Sequence, residues 1–269
     1  MSVTSVTLPY GVGGITCKVP TRKIRAILEP REIEPIGRPE EIVEKALKEP
    51  IGGAKSLREL VRGKRSVLVI TSDQTRPVPS RMTLPILLKE IKSERVDADL
   101  LIATGLHSPP SKGEMAEKYG NENLERFSNV LLHRSGEGDE QFRAGKLSTG
   151  LELYVNKELA KEGQLVIAEG FIEPHFFAGF TGGPKSILPG VAWAGSIMSN
   201  HSAERIDDPL SRSGILRGNP IQEEIREASS KAGLRFVLNV ILDEEKNVAR
   251  AVAGETIAAH EVGLSLIHI

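Results

Sequence analysis

One segment of the chain, residues 173–190, concentrates side chains that can do chemistry. It holds an imidazole, His175, and an amine, Lys185, together with four glycines and three prolines in eighteen residues. So many glycines and prolines are incompatible with a regular helix or strand. We therefore predict a shaped loop, and loops of this kind commonly bind a ligand or carry catalytic groups.

Part of this segment is similar to a nucleotide-binding P-loop. Residues 179–186 fit the pattern G-x-x-x-x-G-K-S at every position except Pro184, which replaces the second glycine. Because a P-loop binds phosphates with successive backbone N–H groups, a proline there removes a donor and argues against an NTPase. Two interpretations remain, a glycine-rich turn with a solvated lysine or a loop that presents Lys185 for chemistry. We favour the second.

Composition limits the class of protein. The 269 residues suffice for one large or two modest domains with a sizeable core. The net charge of −1 suggests neither a nucleic-acid partner nor a membrane-surface partner. Cys17 is the only cysteine, which excludes an internal disulfide and fits a reducing compartment. Because residues 1–19 also lack the basic start and apolar centre of a signal peptide, we expect a cytoplasmic protein.

Short apolar runs alternate with amphipathic stretches along most of the chain. The runs at 66–71, 99–104, 129–133, 164–168 and 234–242 predict strands. The stretches at 84–91, 112–119 and 220–232 predict helices, with Pro85 in the first turn of its helix and a last helix beginning near Glu255. This alternation predicts an α/β fold with a mostly parallel sheet flanked by helices.

Three polar segments directly follow predicted strands, at residues 72–76, 105–107 and 170–185. In open parallel sheets, ligands bind outside the carboxyl ends of the strands. We therefore expect these strand-end loops to meet at one edge of the sheet and to form the site.

The first of these loops carries Asp73, Gln74, Thr75 and Arg76. A carboxylate, a hydroxyl and a guanidinium within four residues can hold a sugar hydroxyl, a phosphate or a substrate carboxylate. The alternative is a capping aspartate beside a surface arginine.

Histidines are the other candidates. His107, on a strand-end loop, suits either a catalytic or a structural role. His133 closes an apolar run and is expected to be structural or to support a site residue, whereas His260 is expected on the surface of the last helix.

The strongest candidate set is His175, Lys185 and His201. No zinc-binding pattern accompanies these residues, so a self-contained metal site is not expected. A metal with few protein ligands would need a cofactor that supplies the rest, and the amine of Lys185 can anchor such a cofactor covalently.

Five stretches resemble the N-terminal domain of the nickel-dependent lactate racemase family, whose cofactor is a nickel-pincer nucleotide. They are Ser-Asp-Gln-Thr-Arg-Pro at 72–77, Ala-Thr-Gly-Leu-His at 103–107, Glu-Pro-His…Gly-Gly-Pro-Lys…Pro-Gly at 173–190, Asn-His at 200–201 and Gly-Asn-Pro at 218–220. They occur in the family's order and at similar separations, and the resemblance extends over most of residues 8–263.

The resemblance implies a role for each candidate. Lys185 would carry the tethered pincer, a Ni(II) pyridinium-3,5-bisthiocarboxylate mononucleotide, and His201 would be the protein ligand of nickel. His107 and His175 would be the acid/base pair. Residues 73–76 would form part of the cofactor and substrate pocket, with Arg76 as the holder of the substrate carboxylate.

The implied activity is the interconversion of the enantiomers of a 2-hydroxy acid, with lactate as the expected substrate. A histidine cannot remove the weakly acidic Cα–H, but two histidines can exchange the hydroxyl proton on opposite faces while a nickel centre accepts and returns hydride. The alternatives are the same cofactor acting on a larger hydroxy acid or sugar acid, and a truncated paralogue that only binds a nucleotide-like ligand.

Two features depart from the family pattern. Ser108 occupies the position at which an arginine would follow the histidine, and a C-terminal domain would lie beyond this chain. We interpret residues 1–263 as the N-terminal catalytic domain and residues 264–269 as a truncated or non-native tail, and we give His268 no role. The expected partners are the small-molecule substrate and, transiently, the cofactor-synthesis proteins, with no nucleic acid and no membrane.

Overall fold

The computed structural model of the protein describes residues 2–11, 13–27, 33–136 and 141–267. The chain divides into two compact units, residues 1–32 and 33–268. In the first unit, β1 (Val3–Tyr10) and β2 (Gly13–Pro20) form an antiparallel pair, in which most side chains are exposed. His268 lies outside the described residues, and the interpretation of residues 264–269 as a tail stays a prediction.

The second unit is organised by strands. These are β3 (Ser66–Ser72), β4 (Asp97–Ala103), β5 (Asn129–Leu132), β6 (Gln141–Lys146), β7 (Glu152–Asn156), β8 (Gln164–Phe171), β9 (Pro174–His175), β10 (Gly179–Phe180), β11 (Leu234–Leu242) and β12 (Val248–Gly254). Six of them form one sheet in the order β12–β11–β8–β3–β4–β5, with every neighbouring pair parallel except β11 and β12. The predicted α/β fold with a mostly parallel sheet is therefore confirmed.

The helices of this unit fill the connections between the strands. They are α1 (Pro39–Lys48), α2 (Leu57–Val61), α3 (Ser80–Lys92), α4 (Lys112–Tyr119), α5 (Asn121–Leu124), α6 (Ala194–Asn200), α7 (Ala203–Asp207), α8 (Pro220–Lys231) and α9 (Thr256–Leu266).

Both faces of the sheet are buried, which explains why its strands are continuous apolar runs. In β3, Val67 and Val69 belong to a core cluster shared with α1 to α4, whereas Leu68 and Ile70 belong to a second cluster shared with α6, α8 and α9. Successive side chains of a strand point to opposite faces, so one strand contributes to two cores. The sheet is thereby held between two layers of helices.

Helix α3 corrects one prediction. It begins at Ser80 rather than near Leu84, so Pro85 lies inside the helix instead of in its first turn. A proline there leaves the carbonyl of residue i−4 without its helical N–H donor. That carbonyl, on Arg81, accepts a hydrogen bond of 3.0 Å from the amide Nδ2 of Asn123. A side chain from α5 thus replaces the missing donor, and the sequence near α3 does not predict this contact.

Candidate functional site

A cleft of about 330 Å³ lies beside the carboxyl ends of β3, β4 and β8. It is lined by residues from all three polar segments that follow these strands. Six of the eight predicted site residues contribute to it, namely Asp73, Arg76, His107, His175, Lys185 and His201. The expectation that the strand-end loops meet at one edge of the sheet is therefore confirmed.

Asp73 and His107 form a pair although they are far apart in the chain. Oδ2 of Asp73 lies 2.7 Å from Nδ1 of His107. The aspartate is only 2% exposed, whereas the histidine side chain is 46% exposed. Since a carboxylate only accepts hydrogen bonds, the imidazole donates from Nδ1 and keeps Nε2 free to accept a proton.

Gln74 and Thr75, the other two predicted site residues, do not line the cleft. Thr75 donates to Oδ1 of Asp73 from its backbone N–H, at 2.9 Å, and from its hydroxyl, at 2.6 Å. It therefore orients the carboxylate that holds His107. The side-chain oxygen of Gln74 is buried without a hydrogen-bond partner among the described residues. Cofactor binding by these two residues stays a prediction.

The glycine-rich segment forms a tight loop around a short 3₁₀ helix, Gly183–Ser186. Gly182 has a φ of 84°, and a Cβ atom there would lie 2.8 Å from the carbonyl oxygen of Phe171, so only glycine fits. The N–H of Gly183 donates to Oδ1 of Asn239 at 2.9 Å. A backbone donor that a P-loop would direct at phosphate is thus already used within the protein, which agrees with the argument from Pro184.

Lys185 lies on this 3₁₀ helix and lines the cleft. In the described part of the chain, its amine makes no hydrogen bond and no ion pair. Burial and the positive charge of Arg76 lower the pKa of Lys185 from 10.5 to about 7, against the opposing charge of Glu173. A large fraction of the amine is therefore neutral near pH 7, and a neutral amine is a nucleophile.

His175 lies in an aromatic cluster at the mouth of the cleft. Its ring stacks on Phe176 with centroids 4.7 Å apart and meets Phe177 edge-on at the same distance. Nδ1 accepts a hydrogen bond of 3.3 Å from the backbone N–H of Ala178. Burial, and then the positive charges of Lys185 and Arg76, lower the pKa of His175 to about 3. The ring is therefore neutral at physiological pH.

His201 follows α6 and packs edge-on against Phe177, with ring centroids 4.9 Å apart. Its Nδ1 lies 2.9 Å from Oδ1 of Asn200. Burial, followed by the charge of Lys185, lowers the pKa of His201 to about 4. A neutral imidazole with one nitrogen in a hydrogen bond and the other free is the form in which histidine binds metals.

Two histidines outside the cleft are buried. His133 is 2% exposed, its Nε2 lies 2.9 Å from the carbonyl oxygen of Ala192, and burial lowers its pKa, which agrees with the expected supporting role. The prediction that His260 lies on the surface is wrong, because the residue is fully buried. Nε2 of His260 donates to the carbonyl oxygen of Thr181 at 2.8 Å, and its ring packs against Gly183. The helix face that carries His260 covers the lysine loop.

Glu169 is a cleft residue that the sequence analysis missed. It is 2% exposed, and its two carboxylate oxygens accept hydrogen bonds from the hydroxyls of Thr71, at 2.6 Å, and Thr83. The available signal was a single acidic residue inside the apolar run of β8. A carboxylate in a strand buried on both faces requires a polar function or a polar partner.

No group of three or more His, Cys, Asp or Glu residues within the described ranges could hold a metal ion. A metal bound here would thus need ligands that the described side chains do not supply. Among the helices that the structure describes, none is both long and apolar enough to span a bilayer.

Comparison with known proteins places the chain in a family. Residues 10–214 match the lactate racemase N-terminal domain. The chain is 42% identical over 267 residues to the lactate racemase of Thermoanaerobacterium thermosaccharolyticum. The aligned region is 98% of this chain and 62% of the relative. It is 44% identical over 230 residues to the lactate racemase of Lactiplantibacillus plantarum, and this aligned region is 85% of this chain and 54% of the relative. The chain therefore corresponds to somewhat more than half the length of these relatives.

Solved structures agree with the family match. The lactate racemase apoprotein from T. thermosaccharolyticum superposes with a TM-score of 0.90 at 41% identity, over 97% of this chain and 61% of that one. A protein from Thermotoga maritima superposes with a TM-score of 0.70 over 86% of this chain and 59% of that one, but at 24% identity it supports the fold alone. The motifs, the fold and the relatives agree, and the chain belongs to the family of lactate racemase N-terminal domains.

Proposed function

We propose that this chain is the cofactor-bearing part of a racemase for a 2-hydroxy acid, with lactate as the substrate and a nickel-pincer nucleotide tethered to Lys185. The observation that carries the proposal is the convergence of one nucleophilic lysine and three histidines on one cleft. A ligand-binding module has no use for a lysine with a pKa near 7 beside two histidines placed for proton transfer.

Lys185 is the residue fitted to covalent attachment. Its amine has no partner among the described residues, and its pKa of about 7 makes it reactive at the pH of a cell. Arg76, in the same cleft, is a second positive charge that attracts anionic groups. The pair suits a phosphorylated cofactor and a carboxylate substrate.

His201 is the residue fitted to the metal. Imidazole nitrogen is a good ligand for nickel. In this ring Nδ1 is hydrogen-bonded to Oδ1 of Asn200, so Nε2 is the nitrogen left to bind the metal. Since the described side chains form no metal cluster of their own, the remaining ligands would come from the cofactor. When bound, that cofactor would supply a centre that accepts and returns hydride at the substrate carbon.

His107 and His175 are the residues fitted to proton transfer. Nε2 of His107 is free to take the proton of the substrate hydroxyl, and Asp73 stabilises the imidazolium that results. His175 lies in the same cleft and would serve the other enantiomer once its hydrogen moves from Nε2 to Nδ1, which gives up the 3.3 Å hydrogen bond from the backbone N–H of Ala178. Arg76 would hold the substrate carboxylate while either histidine acts. With the two histidines exchanging roles as acid and base, the reaction runs in both directions.

Intact-mass analysis tests the proposal. The chain is produced together with the cofactor-synthesis proteins and compared with Lys185→Ala and with Lys112→Ala, a control at an exposed lysine of α4. We expect an adduct and bound nickel in the natural chain and in the control, and neither in Lys185→Ala, which should still fold because a loop lysine contributes little to stability.

The other outcomes point elsewhere. An adduct that persists in Lys185→Ala would move the anchor to another residue. Absence of both adduct and nickel from the natural chain would favour the non-catalytic ligand-binding paralogue. Activity assays with lactate and with larger hydroxy acids on the loaded protein would then separate the two substrate classes.

A further inference from the structure

Behind His201 lies a chain of buried polar groups that the proposed function does not use. Nδ2 of Asn200 donates to Oε2 of Glu224 at 2.7 Å, and Oδ1 of Asn200 faces Nδ1 of His201 at 2.9 Å. Asn200 is fully buried and Glu224 is 1% exposed. These groups connect the middle of α8 to the end of α6, at the edge of the cleft.

Two acceptors determine the direction of these hydrogen bonds, the carboxylate of Glu224 and the backbone carbonyl of Ile221, to which Nδ2 of Asn200 also donates at 3.2 Å. Because both oxygens only accept, Asn200 turns its NH₂ group toward them. Its carbonyl oxygen then faces His201, and an oxygen there can only accept a hydrogen bond from the ring. The hydrogen of the neutral imidazole is therefore on Nδ1, and the lone pair is on Nε2.

Other contacts hold the carboxylate of Glu224 in place. Arg205 forms an ion pair with Oε1 at 2.6 Å, and the hydroxyl of Thr149 donates to the same oxygen. A carboxylate this deeply buried is tolerated only when it is paired and hydrogen-bonded. Both stabilising contacts involve Oε1, which leaves Oε2 for Asn200.

We propose that Glu224 and Asn200 are positioning residues, which hold the ring of His201 with hydrogen on Nδ1 and present Nε2 as a ready metal ligand. The inference rests on the proposed role of His201 as the nickel ligand. Its chemistry follows the general pattern in which a carboxylate or carbonyl behind a histidine fixes the tautomer and the orientation of a ligating ring.

The test uses two substitutions with different expected results. In Glu224→Gln, the amide oxygen stays with Arg205 and Thr149, and the new NH₂ group faces Asn200. This favours rotation of the Asn200 NH₂ group toward His201, which gives up the 3.2 Å hydrogen bond to the carbonyl of Ile221 and moves the ring hydrogen from Nδ1 to Nε2. Asn200→Ala removes the acceptor and leaves the ring without a fixed tautomer. Thr149→Val, the matched control, breaks a bond to Oε1 without touching Asn200.

Nitrogen-15 NMR of the cofactor-free chain, labelled at histidine and recorded near neutral pH, shows which ring nitrogen of His201 carries hydrogen. We expect Nδ1 in the natural chain and in Thr149→Val, Nε2 in Glu224→Gln, and an averaged signal in Asn200→Ala. If Glu224→Gln does not fold, Asn200→Ala decides, since it leaves the ion pair of Glu224 with Arg205 intact. Hydrogen on Nε2 in the natural chain, or an unchanged tautomer in the folded variants, would overturn the inference.

A second measurement follows the metal. In the cofactor-loaded protein, Glu224→Gln and Asn200→Ala should each lose nickel about 10- to 100-fold faster than the natural chain. This is the usual effect of removing a hydrogen-bond partner that orients a metal-binding histidine. Nickel loss at the natural rate in both variants would also overturn the inference. A natural chain that never acquires nickel would instead contradict the proposed function, and the tautomer measurement would still decide the role of Glu224 and Asn200.

Discussion

The two histidines proposed for proton transfer lie in opposite surroundings. His107 is half exposed and holds a buried carboxylate on Nδ1, so its neutral ring carries hydrogen on Nδ1. His175 is packed among aromatic rings and accepts a backbone N–H on Nδ1, so its neutral ring carries hydrogen on Nε2. One ring thus presents a bare nitrogen to the cleft, and the other presents an N–H.

This difference shows that a histidine's role is decided by its partner. Both residues follow strands of the sheet, His107 after β4 and His175 after β8, and their local sequence does not predict this difference. The carboxylate beside His107 stabilises an imidazolium, whereas burial and the charges of Lys185 and Arg76 oppose one at His175, where the pKa is about 3.

The largest expected effect comes from removing either ring. His107→Ala and His175→Ala should each slow racemisation by about 10²- to 10⁴-fold in both directions, because each residue is the base in one direction and the acid in the other. Steady-state rates with each enantiomer measure this in the cofactor-loaded protein. The ratio of forward to reverse efficiency must stay fixed by the equilibrium constant, so asymmetry can appear only in single steps.

A single-turnover experiment reveals that asymmetry. Reduction of the cofactor, followed by absorbance, should be slow with one enantiomer in the His107 variant and with the other enantiomer in the His175 variant. Losses below about tenfold for both variants and both enantiomers are too small for removal of a general base. Such a result would return both histidines to structural roles.

A smaller effect is expected from Asp73→Asn, which alters one histidine alone. The amide oxygen would stay with the two donors of Thr75, so the NH₂ group would face His107 and invert its tautomer. Loss of a hydrogen bond to a charged group, worth about 1.5–3 kcal/mol, predicts a rate lower by roughly tenfold to 100-fold. The measurement is the same single-turnover assay, in which only the step served by His107 should slow.

Thr75→Val is the control for this prediction. It removes one donor to Oδ1 of Asp73 but leaves the contact between Oδ2 and His107, so it should slow the reaction less than Asp73→Asn does. Equal losses in the two variants would mean that Asp73 acts through the shape of its loop and not through the tautomer of His107.

The smallest effect concerns the charge of Lys185. In the cofactor-free chain, this charge repels the imidazolium forms of His175 and His201 and lowers both pKa values. Lys185→Met removes the charge and keeps the bulk, so both pKa values should rise while burial keeps them below 6.5. Histidine titration by NMR measures the shifts, with the buried His133 as an internal control, because its pKa is lowered by burial without a contribution from Lys185.

A covalent adduct that removes the charge of Lys185 should act in the same direction. If the pKa values of His175 and His201 do not change in Lys185→Met, their low values do not depend on the charge of Lys185.

Most of the fold could be predicted from the sequence. Strands β3, β4, β8 and β11 are apolar runs because the sheet is buried on both faces, and this pattern is local. The parallel arrangement then places the segments after β3, β4 and β8 at one edge without further information. The start of α3 was missed because the residue that satisfies its free carbonyl, Asn123, lies in another helix.

The candidate site divides in the same way. The sequence by itself determined the residue types, their order and the edge of the sheet at which they meet, since these follow from short motifs and from the alternation of strands and helices. Only the tertiary structure decided the proton positions and the pKa values. Asp73 reaches His107, Glu224 reaches His201 through Asn200, and the buried His260 supports the lysine loop. Tautomers and pKa values depend on charges and hydrogen-bond partners within a few ångströms, and the packing of distant segments supplies those partners.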